Sequence, residues 1–449
     1  MAKTLRLTEG NIFSSLVRFS IPVILAMLLQ AMYSAVDVMV IGHFATTADV
    51  SGVATGGTIL NVLTHTTTGL AMGLTVLVGN KIGEKRDDEA SKVIGAGICL
   101  FAVYTVIVTA LMILCAGAFA SMMKAPEEAF KQTTEYITII GIGSVFVVAY
   151  NLIGSIFRGL GDSKTPLITV AIACVFNIFA DLLFVAVFDM GAAGAALATV
   201  IAQAISVCAL LVILKKRPIA VKLNKRDIKF DGKIIGTQLK IGFPIALQEF
   251  LVGFTLLVIQ SFVNALNVYA SAGFGIGEKV CVFIMLIPMS FMQSIAAFVA
   301  QNLGAGRPDR AKSALGWGIL LSAVVGIITG ALSFFAGDML ARIFDNDPNV
   351  IANAHQYLKA YGIDCLLTPI VFCFLGYYNG HGKTMFVMLQ SIFTGFLVKI
   401  PVAYFISKLP NVGLFEIGLG IPASSFVQII LCLAMFFVMR KKEKKELHA

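Results

Sequence analysis

Apolar residues run along this chain in long blocks separated by short polar punctuation. Twelve blocks stand out, near 14–41, 52–80, 93–122, 133–157, 165–188, 191–214, 234–262, 275–302, 313–337, 350–377, 384–407 and 412–439. Each is predominantly apolar over about 20 residues or more, the length that carries an α-helix across the hydrocarbon core of a bilayer. In lipid every backbone N–H and C=O must be bonded within the protein, which leaves helices and closed barrels, and blocks this long favour helices. The pattern predicts an all-α integral membrane protein with twelve transmembrane helices.

The polar punctuation is written twice. Residues 78–90, Val-Gly-Asn-Lys-Ile-Gly-Glu-Lys-Arg-Asp-Asp-Glu-Ala, return 221 positions later as Val-Ala-Gln-Asn-Leu-Gly-Ala-Gly-Arg-Pro-Asp-Arg-Ala over 299–311. The same register relates Gly95 to Gly316, Gly97 to Gly318, Tyr136 to Tyr357, Gly141 to Gly362, Gly159 to Gly380 and Gly161 to Gly382. The expected organisation is two pseudo-symmetric six-helix bundles, 1–214 and 234–449, joined by a cytoplasmic basic linker over 215–233. Repeated bundles around a central cavity are a common transporter design, one half moving against the other.

Composition agrees with the blocks: 58% of the 449 residues are apolar and 13% charged, with a mean hydropathy of +0.89, outside the range of a soluble chain. The net charge of +9 raises the question of nucleic acid, and its placement answers it. With the N-terminus and every second loop assigned to one side, that side holds 27 of the 34 Lys and Arg residues, including Lys3, Arg6, Arg158 and nine within 215–240. Six fall on the other side and Lys399 lies inside a block. This is the positive-inside pattern, which puts both termini in the cytoplasm. It makes the basic linker a topology signal that also attracts anionic lipid head groups, and no nucleic-acid partner is expected. The first apolar block continues past Pro22, beyond the hydrophobic region of a signal peptide, so the first helix is expected to stay. The eight cysteines read as small buried apolar residues without a Cys-x-x-Cys pair, and the five scattered histidines show no zinc spacing.

Ionisable groups inside membrane helices are costly and mark function by default. Gln30, Tyr33 and Asp37 recur at i, i+3 and i+7 in the first block and share one helix face. That face should look into the protein or a wet cavity. Asn177 and Asp181 form an i, i+4 pair on the fifth block, and Thr199 follows on the sixth in Gly191-Ala-Ala-Gly-Ala-Ala-Leu-Ala-Thr199, whose small residues also suit close helix packing. Two carboxyls, an amide and a hydroxyl supply oxygen ligands for Na+, and they equally suit a proton, because adjacent carboxylates resist double ionisation. Glu249, one turn past Pro244, Asp364 on the tenth block and Lys399 before Pro401 are further intramembrane charges, each a cavity residue or half of an ion pair. The Gly-rich turn Arg158-Gly-Leu-Gly161-Asp162 lacks the Gly-Lys-Ser/Thr of a phosphate loop.

Together, Pro22…Gln30…Asp37, the repeated Gly83…Arg86 and Gly304…Arg307 loops, Arg158-Gly-x-Gly-Asp162 and Asn177-x-x-x-Asp181 make the chain resemble the multidrug and toxic compound extrusion (MATE) transporters over nearly its whole length. The resemblance is to the branch whose cation site lies in the N-terminal half. It implies a coupling site of Asp37, Asn177, Asp181 and Thr199, joined by the backbone carbonyl of Ala195, with Gln30 and Tyr33 as substrate-cavity candidates. The other branch carries acidic residues on helices 7 and 10, and the matching helix-10 place is Thr368, one turn from Asp364. The implied activity is export of lipophilic, mostly cationic organic compounds in exchange for Na+ or H+, by a monomer in the plasma membrane of a bacterium, with no other cofactor. A flippase for a lipid-linked oligosaccharide is the alternative. It would favour a cationic cavity, to which Lys399 alone points. A membrane-embedded enzyme finds no paired-histidine metal motif, nucleophile elbow or phosphate loop.

Overall fold

The computed structural model describes residues 7–216, 221, 223–410 and 412–447. Lys3, Arg6, Arg217 and Lys222 of the charge pattern lie outside the described residues. Every element among the described residues is helical, and twelve helices are long and apolar enough to cross a membrane. They are α1 (Ile12–Phe44), α2 (Thr47–Gly83), α3 (Asp87–Leu114), α4 (Glu127–Gly159), α5 (Lys164–Val187), α6 (Gly191–Lys216), α7 (Gly232–Asn264), α8 (Val268–Gly304), α9 (Pro308–Phe335), α10 (Pro348–Gly380), α11 (Thr384–Ser407) and α12 (Leu414–Glu443).

All twelve blocks therefore appear in order, but several helices start five to seven residues before their apolar blocks, α2, α3, α4, α8 and α9 among them. Hydropathy misses the first turns of α2, α3, α4 and α9 because they are polar; the start of α8, Val268-Tyr-Ala-Ser, carries no acidic residue, and what marks it is Asn267, whose Oδ1 accepts from the Ala270 N–H. Thr46 and Asp49 form a capping box at the start of α2, and Asp87, Asp88 and Glu89 occupy the first turn of α3, where a helix N-terminus favours negative charge. The third block, 93–122, also runs beyond its helix, and the ninth ends within two residues of its own. α3 stops at Leu114, and after Cys115 a separate short helix, Ala116–Met122, begins; Gly337–Ala341 does the same after α9. No polar residue marks the first break; at the second, Asp338 lies in the first turn of the new helix. The cysteine reading holds for Cys174, Cys281, Cys365, Cys373 and Cys432, which are buried, but Cys208 is exposed and Cys99 and Cys115 are half-buried. A thiol is apolar enough to sit on the outer face of a membrane helix, so composition does not separate the two places.

The chain divides into two compact units: Met1–Ala246 with Ala300–Pro308, and Leu247–Val299 with Asp309–Ala449. In the first unit α4 packs against α2, α3 and α6, while α5 bridges α1 and α6. The first unit also takes in the second copy of the repeated loop, and the two copies pack reciprocally. A Cβ on Gly83 would run into the backbone carbonyl of Gln301 and lie 2.9 Å from the Ala305 nitrogen, and a Cβ on Gly304 would run into the backbone carbonyl of Asn80. Positions 80 and 301, like 83 and 304, are repeat partners, so the duplicated glycines exist to let one loop copy press its backbone on the other. Gln301 Nε2 donates to the Gly159 carbonyl at 2.8 Å.

The basic linker is not a free tether. α6 runs to Lys216 and α7 starts at Gly232, and between them Lys225–Asp227 makes a short 3-10 turn that docks on α3. Ser91 Oγ donates to Asp227 Oδ2 at 2.7 Å and Asn224 N–H donates to the same oxygen at 3.1 Å. These donors hold the Asp227 carboxyl below its ordinary pKa. On α7, Gln238 Nε2 donates to the Val93 carbonyl at 2.8 Å. The second unit has its own core, in which Tyr357 and Tyr361 of α10 pack with Ile259, Phe274, Cys281, Ala403 and Ile417.

Candidate functional site

α1 enters at Asn11, whose side chain accepts from Ser14 N–H, and runs through Pro22 without ending. Pro22 has no N–H to give, so the helix lacks one internal bond there. The buried positions of its second half are Asp37, Val40 and Ile41, and the half-buried Tyr33 lies one turn before Asp37. The i, i+4, i+7 spacing turns this face inward. Tyr33 Oη accepts from Gln203 Nε2 of α6 at 3.1 Å, tying α1 to α6 just below Asp37; Gln30 is half-buried one turn further back.

α5 is α-helical up to Asp181 and then widens into a π turn, Leu182–Val187. Such turns are rare in helices and recur at functional sites because they disturb the local ladder of backbone bonds. The start of α6 is fixed from another element: Asp49 Oδ1 of α2 accepts from the Ala192 N–H at 2.9 Å, while Asp49 Oδ2 accepts from Thr46. Asp49 thereby caps two helices and sets the position of Ala195 and Thr199 along α6. Ala195 is buried one turn before Thr199. Asp49 lies just before the second apolar block, near 52–80, and its spacing three after Thr46 is the sequence signal for half of this role.

These elements bring Asp37, Asn177, Asp181 and Thr199 together. Asp37 is 7% exposed and Asn177 and Asp181 are fully buried. The Asp37 carboxyl faces Asp181, Thr199 and Asn177, and Thr199 Oγ1 donates to Asp37 Oδ2 at 3.3 Å. Tyr136 of α4, buried at 4% exposure, lies within electrostatic reach of both carboxylates; the sequence flagged it only as a repeat partner of Tyr357. The remaining polar atoms have no protein partner: Asp37 Oδ1, both oxygens of Asp181, and Oδ1 and Nδ2 of Asn177. A buried polar atom left unbonded costs about 1–3 kcal/mol, and more when charged. Four of the five are oxygens, on three adjacent side chains, and call for a cation or a proton; Asn177 Nδ2 is a donor and is turned to the Asp37 carboxyl. Carboxylate and amide oxygens are hard donors, so the pocket suits one monovalent cation or a proton shared by the two carboxyls.

Of the other intramembrane charges, the second unit brings two together. Asp364 on α10 accepts from Thr368 Oγ1 at 2.5 Å, and Lys399 on α11 is acted on by Asp364 and, more strongly, by Glu278 on α8. Glu278 accepts from the Tyr357 hydroxyl. Glu249, half-buried on α7, is not among the charged groups acting on Asp364 or Lys399. Glu278 went unnoticed in the sequence because the eighth apolar block starts near 275, which makes it look like a span edge; with α8 starting at Val268 it sits almost three turns inside.

A twelve-helix membrane protein with an internal repeat and a buried acidic polar pocket has the form of a secondary transporter, and comparison with known proteins specifies which. The sequence model of the MatE family matches residues 22–183 and again 244–405, and the chain belongs to that family of transporters. It is 25% identical over 448 residues to the probable multidrug resistance protein YoeA of Bacillus subtilis, covering 98% of this chain and 97% of YoeA. Among solved structures, the outward-facing conformation of a multidrug resistance MATE family transporter of the MOP superfamily shares the fold with a TM-score of 0.92 at 20% identity, covering 99% of both chains. A MOP superfamily transporter from Pyrococcus furiosus, whose binding pocket is described as of reverse polarity and as suggesting a different function, also reaches 0.92 at 19% identity over 98% of both. The two family matches begin at Pro22 and Pro244, so the internal repeat is a repeat of the family unit itself.

Proposed function

We propose that this MatE-family protein is an antiporter that exports lipophilic, mostly cationic organic compounds in exchange for Na+ or H+ bound among Asp37, Asn177, Asp181 and Thr199, with the Ala195 carbonyl as a further ligand. The observation that carries this reading is the set of four unpartnered oxygens on Asp37, Asn177 and Asp181. The multidrug names of its relatives supply the substrate class. The ion and the drug are both cargo, and they are coupled if each favours a different conformation.

The steps follow from these residues. With the pocket empty, two carboxylates face each other in a medium that screens poorly, and the first unit carries negative charge that favours a cationic compound nearby. Gln30 and Tyr33, on the same face of α1, line its path. Entry of Na+ or H+ from outside satisfies the unpartnered oxygens and cancels charge. The drug loses its electrostatic anchor, and α1, short of one backbone bond at Pro22, changes its bend to draw Asp37 onto the ion. The bend expels the drug outward. The protein acts as a monomer in the inner membrane, with membrane lipids around it and both termini cytoplasmic.

One other reading is a flippase whose cationic cavity holds a lipid-linked phosphate; Lys399 is the charge that points to it, and Glu278 and Asp364 acting on Lys399 count against it. Cells expressing the wild-type chain should tolerate more ethidium-like dye than cells expressing Asp37→Asn. If the two tolerate dye equally and only cell-envelope polysaccharide synthesis depends on the protein, the flippase reading replaces this one.

A further inference from the structure

The two units differ in what stands at equivalent places. Counting from the paired prolines at which the family matches begin, Ile259 stands where Asp37 does. With the same offset of 222, taken from the bounds of the two matches and one more than the 221 of the loop repeat, Lys399 stands where Asn177 does and Ala403 where Asp181 does. Ile259 and Ala403 are buried in the apolar core of the second unit. That unit has thus lost both carboxyls of the first unit's pocket and gained a lysine in place of the amide. The local backbone is not matched: in this register the π turn that follows Asp181 falls on 404–409, whereas α11 has its π turn at Gly395–Lys399.

Carboxyls return in the second unit from other helices. Glu278 comes from α8, held by the Tyr357 hydroxyl, and Asp364 from α10, held by Thr368. Asp364 is 3% exposed, and the groups that hold its carboxyl are the hydroxyls of Thr368 and Ser425. A carboxylate held by hydroxyls at that depth calls for a positive charge. The lysine at the first unit's ligand position is the cation that both carboxylates feel, yet it lies within 4.0 Å of neither among the described salt bridges. An ammonium on four methylenes can approach either one without leaving the cluster.

We propose that Lys399 is a tethered cation for Glu278 and Asp364, so that the second unit carries covalently the positive charge that the first unit must take from solution. The cluster is then a cation site closed to exchange, and ion coupling is confined to one unit. Replacing Lys399 by an uncharged residue opens the cluster to one monovalent cation or proton. The inference rests on the reading of Asp37 and Asp181 as the exchangeable site only for the background of its test.

The test counts cations on purified protein: sodium-22 bound at saturation, and protons taken up on acidification, in the same preparations. In an Asp37→Asn/Asp181→Asn background neither count should show a saturable equivalent assignable to the cluster. Adding Lys399→Met should gain one equivalent per chain, as Na+ or as H+. Adding Lys399→Arg should gain none. A further Glu278→Gln/Asp364→Asn change should abolish the gain in the methionine variant and, with all charges gone from the cluster, should fold even if Lys399→Met alone folds poorly. A folded Lys399→Met protein that gains nothing overturns the proposal. So does a saturable equivalent in the background that disappears with Glu278→Gln/Asp364→Asn while Lys399 is intact. An equivalent in the background that survives that change instead counts against the Asp37 and Asp181 reading and leaves Lys399 to be judged by its own increment.

Discussion

Asp181→Asn should make the ion-free protein more stable and deaf to ions. Both Asp181 oxygens are buried without a partner, and the Asp37 carboxyl faces them. Two ionised carboxylates ~4 Å apart at an effective dielectric of ~20 repel by about 4 kcal/mol. The amide removes that repulsion but leaves polar atoms unbonded, so a net stabilisation of about 1–3 kcal/mol is expected without ions at alkaline pH. The same Coulomb figure, now as lost attraction, weakens a bound cation by nearly three orders of magnitude. At an ion concentration of ~100 times its dissociation constant the wild-type protein gains about 2.7 kcal/mol from binding, whereas the variant gains almost nothing. Thermal melts of detergent-purified protein, with and without Na+ and at two pH values, read both effects. A variant that melts lower than wild type without ions, or still rises with Na+ or acid as wild type does, refutes the reasoning.

Asp49→Ala removes the α2 capping box and the acceptor for the Ala192 N–H; a loss of about 1–2 kcal/mol is expected from the cap, read by melting, with weaker ion-dependent stabilisation because the start of α6 is no longer fixed. The docking of the linker on α3 should depend on pH. Asp227 has a lowered pKa in the folded protein, so its contribution is fully present above the ordinary carboxylate range and fades as pH falls through the lowered value. Limited proteolysis at 223–231 should therefore accelerate at acidic pH, and should be fast at all pH values in Asp227→Ala; wild-type cleavage independent of pH contradicts this. The basic asymmetry predicts a cytoplasmic signal from a reporter at Lys225 and an external one from a reporter at Pro126, and an external signal at Lys225 overturns the topology.

The spans were legible because the bilayer asks for one thing, unbroken apolar length, and the chain states it twelve times. Helix starts were not, since the first turns that carry caps and acidic residues are polar and read as loop. That hid Asp49, which caps two helices at once. A separate misplacement, of the largely apolar start of α8, moved Glu278 from the interior of the helix to a span edge, so that Asp364 and Lys399 were left without a visible partner. Asp37, Asn177 and Asp181 were legible because an isolated carboxyl in an apolar helix is conspicuous and an i, i+4 pair shares a face. Tyr136 was not legible as a site residue, because a tyrosine in an apolar helix is ordinary and only the fold of α4 against α2 and α6 brings it to the carboxylates. The two π turns leave no sequence signature beside Asp181 or Lys399.

The most direct test of the central claim is dye transport by purified protein in liposomes, driven by a Na+ gradient alone or a pH gradient alone, with wild type, Asp37→Asn, Glu249→Gln and Asp364→Asn at equal amounts. At least one gradient should drive wild-type transport, Asp37→Asn should lose most of it, and Glu249→Gln and Asp364→Asn should keep a substantial share. Normal gradient-driven transport by Asp37→Asn together with failure of Asp364→Asn would contradict the account and place the coupling site in the second unit.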